Sequence, residues 1–431
     1  MLMMNSTSIC RVSARQLLDC KCRPMLEVDV YTQGGACGRG SAPTGSSVGS
    51  HESFVLRDNN PAEYGGMSVH KAVDVIETVI GPALAGMDVM DLNALDKKML
   101  ELDGTPEKRI LGGNSIYSTS IACARAAAAS QNLPLYQLFA QQRGGLHHIP
   151  VTTFNIVNGG RFSGYTMAFN EFIVVPFGVE YIEEAVEMGV QVFHKLGEII
   201  EHFQHGRPAS TGGSYGYSAP CDDPEIVLSL MQDAIDACGY HGRMVFALDC
   251  ASSEMYDKEK KTYLLKGQRL SSEELISYVQ GLSQKFPLFF VEDLLDEDDW
   301  DGFICAKQKL TRTNIIGDDF IVTNRHRLEK AFELQAVDGF ILKPNQVGTI
   351  SEALETYDYA AQHGLIAIPS GRSGGVIGDV VMDFSVGLNA PLQKNGAPRS
   401  GERIDKLNLL LRVSSQNPDL KLCDIRTFAR F

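Results

Sequence analysis

The chain has 431 residues, 44% hydrophobic and 21% charged, and its 39 Lys+Arg against 53 Asp+Glu give a net charge of −14. That composition excludes disordered and fibrous classes, the acidic balance opposes non-specific binding to nucleic acid or an anionic membrane, and no apolar run approaches the roughly 20 residues of a membrane span. Ten cysteines fall singly apart from Cys20 and Cys22, with no CxxC pair, and residues 1–16 contain no long apolar signal core; a non-secreted, cytoplasmic protein is expected.

At roughly 100–200 residues per domain the length suggests two or three domains, although one α/β barrel could absorb most of it. Residues 9–43 read as a small meander: 26–32 (LEVDVYT) alternates apolar and polar residues, Gln33-Gly34-Gly35 is a turn, and 36–38 begins the return strand. Residues 41–50 are almost all small. They form a linker or, between two ordered blocks, a mobile lid over a site. Apolar residues at three-to-four spacing predict helices over 67–80, 87–102 and 115–130.

From His148 the texture changes. Apolar, β-rich runs at 151–157, 172–176, 244–248, 288–291, 315–316, 340–342 and 365–368 alternate with helical stretches. Strands apolar on both faces and separated by helices imply parallel β/α units covered on both sides. So many units favour a barrel, and the GxGxxG loop that a dinucleotide-binding open sheet needs is absent.

A barrel gathers its chemistry at the C-terminal strand ends. Here the run 245–248 ends at Asp249, 289–291 at Glu292 and Asp293, 315–317 at Asp318 and Asp319, and 340–342 at Lys343. A single strand-end carboxylate is usually just solvated, but three successive strands delivering acids to one rim suit a hard divalent cation such as Mg²⁺. A lysine on the next strand, with its charged form disfavoured near that cation, suits a base.

With those positions in hand, the chain resembles the enolase (phosphopyruvate hydratase) family nearly end to end. The resemblance rests on VSARQLLD and LEVDVYT near the start, ESFVLRD at 52–58, FNIVNGG at 154–160, LDCASSE at 248–254, VED at 291–293, GDD at 317–319, LKPNQVGTI at 342–350 and KNGAPRSGER at 394–403. It implies an α/β protein with an N-terminal α+β domain over 1–145 and an enolase-type β/α (TIM-like) barrel over 146–431. It further implies a Mg²⁺ site from Asp249, Glu292 and Asp318 with Ser47 of the loop on a second Mg²⁺, Lys343 as the base, and Lys394 on the substrate carboxylate. The phosphate falls to Arg372 and Ser373, and Asn170 precedes Glu171, one of a pair of acids. The implied ligand is a small phosphorylated carboxylic acid, 2-phosphoglycerate or phosphoenolpyruvate of glycolysis, and the implied assembly is a homodimer.

Three positions depart from the family pattern. Where the family has a Gly-Asp-Glu-Gly-Gly stretch whose Glu protonates the departing hydroxyl, this chain has Gly212-Gly213-Ser214-Tyr215-Gly216, leaving Ser214 or Tyr215 at the acid position. Two histidines of the family become Phe162 and Gly371. A general acid contributes about 10²–10⁴-fold, and a tyrosine with a pKa near 10 is a poor match for neutral pH. Tyr215 and, from the loop, His51 are the available substitutes. The sequence thus pairs an intact metal, base and phosphate half with a dismantled acid half. That leaves three readings: a lyase with weakened or altered dehydration, a binding pseudoenzyme with a regulatory or structural role, and another proton-abstraction enzyme on the same base.

Overall fold

The computed structural model describes residues 6–43, 45 and 49–431. The chain opens as an antiparallel meander of β1 (Ile9–Leu18), β2 (Pro24–Thr32) and β3 (Cys37–Ala42), in that order across the sheet. The helix Gly113–Ser130 lies against β3, and glycine makes that contact feasible. A Cβ at Gly38 would stand 2.0 Å from the Ala122 carbonyl oxygen, and one at Gly40 2.1 Å from that of Ser118. Only a residue without a side chain admits a helix so close. The predicted helix at 87–102 starts later, at Leu92, because the Asp91 side chain accepts the Ala94 N–H and caps it there. The one predicted at 67–80 is His70–Val75 running through a π turn, Ile76–Ile80, into Gly81–Leu84.

The second part is a barrel. Its strands are β4 (Val151–Asn158), β5 (Glu171–Pro176), β6 (Met244–Asp249), β7 (Leu288–Glu292), β8 (Asn314–Gly317), β9 (Gly339–Leu342), β10 (Ile366–Pro369) and β11 (Leu392–Lys394). They pair in chain order, β11 pairs with β4, and a parallel bridge between Ser370 and Lys394 closes the ring. Every residue of these strands is buried, as expected when side chains fill the interior and helices cover the outside.

One strand runs against expectation. β5 is antiparallel to both β4 and β6, whereas the alternation of runs suggested parallel units throughout. The segment between β4 and β5 contains only a 3₁₀ turn, Gly160–Ser163, and no crossover helix. The chain therefore turns straight back, since a parallel return needs a longer crossover. As a result the first residue of β5, Glu171, lies beside Asn158 and Asp249, the last residues of β4 and β6. The eighth strand, β11, is only three residues long and gave no periodic signal. Among the described residues no helix is long and apolar enough to cross a membrane.

Candidate active site

The C-terminal strand ends converge on one cavity. Asn170, Glu171, Ser214, Asp249, Asp293, Asp318, Asp319, Lys343, Arg372, Ser373 and Lys394 line it. Asp249, Asp318 and Lys343 arrive at the ends of β6, β8 and β9, Lys394 ends β11, and Glu171 comes from the reversed strand β5.

Two ammonium groups organise the carboxylates. Lys394 Nζ is 2.6 Å from Glu292 Oε2, 3.1 Å from Glu171 Oε2 and 3.2 Å from Asp249 Oδ2. Lys343 Nζ pairs with Asp318 Oδ2. Glu292, wholly buried, stands behind Lys394 rather than on the cavity wall. Burial, then the charge of Asp249, holds Glu292 well above the usual carboxylate range. Asp249 is raised too, by burial first, with Glu171 adding to it against the pull of Lys394. Burial also works to raise Asp318, but Lys343 and Lys394 overcome it and bring Asp318 below its usual value. For Lys394 burial opposes the charged form, and Asp249, Glu171 and Glu292 reverse that to lift it well above an ordinary lysine. Four carboxylates thus share two ammonium groups. The charge is unbalanced toward negative, and Glu292 Oε1 is buried with no hydrogen-bond partner. An orphaned acceptor beside an acidic cavity is what a divalent cation satisfies.

A second acidic group adjoins the first. One oxygen each of Asp293, Asp318 and Asp319 fall within 4.8 Å of one another. Asp293 adopts φ 44°, a left-handed conformation unfavourable for a residue with a side chain. There its carboxylate accepts the backbone N–H groups of Asp318 and Asp319, both at 2.8 Å. Burial, then the charge of Asp318, pushes Asp293 up to about 7.

Lys343 is held by residues that sequence reasoning did not single out. Val322 and Thr323 both have positive φ, 49° and 56°, a strained turn for β-branched residues. It places Thr323 Oγ1 to accept the Lys343 N–H at 2.8 Å and to donate to Gln346 Oε1 at 2.9 Å. Gln346 Nε2 in turn donates to Asp318 Oδ1 at 2.8 Å. Gln346 lies in the motif LKPNQVGTI, but only the fold reveals what it touches. Asn170 Nδ2 donates to Asp249 Oδ2 at 3.2 Å.

Arg372 lines the cavity with its guanidinium already clamped by Glu52, at 2.8 Å to Oε2 and 3.1 Å to Oε1. Both side chains are buried. This bidentate pair joins the end of the loop region to the segment after β10 and fixes the orientation of the arginine.

Residues 9–139 match the family described as "Enolase, N-terminal domain", and residues 146–422 match "Enolase, C-terminal TIM barrel domain". The chain is also 39% identical over 415 residues to a protein named enolase from Methanococcus aeolicus, covering 96% of each chain. The chain belongs to the enolase family.

Ser214 and Tyr215, neighbours in sequence, are placed differently. Ser214, not Tyr215, faces the cavity: its Oγ is 3.4 Å from Glu171 Oε1, and Arg403 holds it at 3.0 Å through Nη2 while Nη1 takes its carbonyl at 2.8 Å. Tyr215 is turned away. Its hydroxyl donates to the Cys20 carbonyl at 3.1 Å, and burial, reinforced by Cys20, pushes its pKa up to about 12. Tyr215 thus lies off the cavity wall, with a hydroxyl that holds its proton more tightly than an ordinary tyrosine. His51 is likewise directed elsewhere, with Nε2 2.9 Å from Asp298 Oδ1 at the surface. Phe162 lines the cavity, and Lys21 lies 5.0 Å above its ring. Ser47 lies outside the described residues.

Proposed function

We propose that this enolase-family chain binds Mg²⁺ and 2-phosphoglycerate or phosphoenolpyruvate and performs a weakened phosphopyruvate hydratase reaction. The observation that carries this reading is the convergence of Lys343 and Lys394 on Asp249, Glu292, Asp318 and Glu171 at one barrel mouth. Asp249, Glu292 and Asp318 would hold Mg²⁺, and Ser47 a second ion. When bound, the metal supplies positive charge against the ene-diolate that forms when the α-proton leaves. Lys343 takes that proton, Lys394 meets the substrate carboxylate, Arg372 and Ser373 meet the phosphate, and Asn170 and Glu171 complete the wall beside Asp249.

Elimination then requires a proton on the departing hydroxyl. With Ser214 at the position of the acid, dehydration should fall by about the 10²–10⁴-fold that a general acid contributes. Solvent deuterium exchange at the substrate α-carbon, measured beside the ultraviolet absorbance of phosphoenolpyruvate, tests this. Exchange is expected to outrun dehydration by about a hundredfold or more. Turnover near a typical enzyme rate of about 10 s⁻¹ would refute the weakened step. Binding of Mg²⁺ and ligand without any exchange would instead favour a pseudoenzyme with a binding or regulatory role, the reading that Phe162 and Ser214 on the cavity wall favour. We place the domain boundary at 145/146 and propose a cytoplasmic homodimer joined through the N-terminal domain. Sedimentation showing only a monomer-sized species at micromolar concentration would exclude the dimer.

A further inference from the structure

The cavity wall that lacks the family's acid and two of its histidines is not left without a proton-bearing group. Lys406, on the helix Gly401–Gln416, lines the same cavity as Gly371, Arg403 and Ser214. It is 3% exposed, and among the described residues it makes no hydrogen bond and no ion pair. A buried ammonium without a partner is costly, so a ligand group that accepts from it is favoured at this point. The space it enters exists because residue 371 is glycine. A Cβ there would stand 2.6 Å from Lys406 Nζ and 3.2 Å from Asp379 Oδ2. Asp379 Oδ2 is itself buried with no hydrogen-bond partner. A side chain at 371 and Lys406 Nζ in its present place would compete for the same volume.

We propose that Lys406 is a catalytic residue of this site, donating a hydrogen bond and then a proton to the hydroxyl that leaves the substrate. The inference rests on the function proposed above and names the group that sustains what elimination remains. In the balanced step, Lys343 has taken the proton α to the carboxylate. The electron pair left on that carbon becomes the new carbon–carbon double bond as the carbon–oxygen bond breaks. The departing oxygen takes the bond pair and the Lys406 proton and leaves as water. Lys406, now neutral, regains a proton from solvent, and Lys343 returns its own.

The surroundings suit such a donor. Burial, and the charge of Arg403 on its own helix, lower the Lys406 ammonium below an ordinary lysine. Asp379 from the segment after β10, Glu402 on the same helix and Cys20 from the β1–β2 turn act in the opposite direction. An acid works best with a pKa close to the working pH, and the net shift is toward it. Because the donor must be protonated, elimination should fail on the alkaline side at a lower pH than a surface lysine, near 10.4, would give, while exchange at the α-carbon persists.

The test uses the full chain with Mg²⁺ and 2-phosphoglycerate and reads α-carbon exchange and phosphoenolpyruvate formation in parallel. K406M should lower phosphoenolpyruvate formation by about a hundredfold, within the range for loss of a general acid, and leave exchange within twofold. K406R keeps the charge but cannot release a proton, and should be as poor as K406M. G371A, which pushes the lysine tip aside without removing it, should lower dehydration in the same direction and serves as the readout if K406M does not fold. Wild-type rates of dehydration in K406M, or in K406R, would overturn the assignment. Exchange without any dehydration in the wild type would overturn it while leaving Lys343 as the base. Absence of both activities would refute the proposed function itself, and this assignment with it.

Discussion

Replacing Lys394 by Met removes the cation that three buried carboxylates share, and its effect can be sized from the geometry. The ammonium is 2.6–3.2 Å from Glu292, Glu171 and Asp249, and none of the four side chains is more than 10% exposed. At an effective dielectric of about 20, a contact near 3 Å has a Coulomb energy of roughly 5–6 kcal/mol before desolvation is subtracted. Removing one member of a buried pair is known to destabilise by about 3–5 kcal/mol. Unfolding entropy of about 2.1 cal/mol/K per residue converts that to a fall in Tm of roughly 3–6 °C for a chain of this length.

Two controls tie the loss to charge rather than to packing. Mg²⁺ should recover most of it, since a ligand at a hundred times its Kd adds about 2.7 kcal/mol, and the Mg²⁺ shift should be larger in K394M than in wild type. Acidification should also narrow the gap. Glu292 and Asp249 have raised values in the folded state, so the penalty for their charge grows as pH rises above the unfolded carboxylate range and is absent below it. Scanning calorimetry at pH 5 and pH 7, with and without Mg²⁺, measures all four conditions. A variant melting within about 1 °C of wild type at pH 7 without Mg²⁺ would refute the claim that Lys394 neutralises the cluster, because the expected loss is several times larger.

Asp318→Asn removes one charged oxygen from the proposed ion site and should abolish most of the Mg²⁺-induced rise in melting temperature; an undiminished rise would place the ion elsewhere. Ser214→Glu puts a carboxyl group beside Glu171 and Arg403, where two neighbouring acids share a proton, and should raise phosphoenolpyruvate formation at least tenfold of the roughly 10²–10⁴-fold attributable to a general acid. An unchanged rate would show that position 214 is not where the proton enters. Asp96, in the helix Leu92–Asp103, accepts from the Ser351 backbone N–H and hydroxyl at 3.0 and 2.7 Å while its other oxygen has no partner. Burial, outweighing the hydrogen bonds from Ser351, pushes it up to about 6. A raised carboxylate favours the folded state at low pH, so this group should withdraw about 2 kcal/mol of stability between pH 4 and pH 7. Urea titrations of wild type and Asp96→Asn should differ by that much in their pH dependence, and parallel profiles would contradict it.

The rim carboxylates were legible in the sequence because a barrel turns a local pattern into a global position. An apolar run followed by an acid, as in 245–249 or 288–292, places that acid at the C-terminal mouth whatever the rest of the chain does. Direction and closure were less legible. The run 172–176 looks like its parallel neighbours, and only the missing crossover before it betrays that it turns back. β11 is three residues of strand, too short for any period, yet it carries Lys394 to its carboxylates.

Glu171 shows why strand direction matters to the chemistry. On a parallel strand, the residue at its N-terminal end would sit at the bottom of the barrel, far from Asp249. Because β5 is reversed, its first residue pairs in register with the last residue of β6, and both oxygens of that acid are used, one toward Lys394 and one toward Ser214. Motif resemblance supplied Glu171 as a candidate, and the antiparallel hairpin supplies the physical reason. Lys406 had neither signal. It lies on an outer helix, where lysine is ordinarily a solvated residue, and only the fold shows its Nζ reaching the space beside Gly371. The proposed donor thus comes from an element 35 residues away from Gly371 along the chain, through an approach that no local pattern encodes.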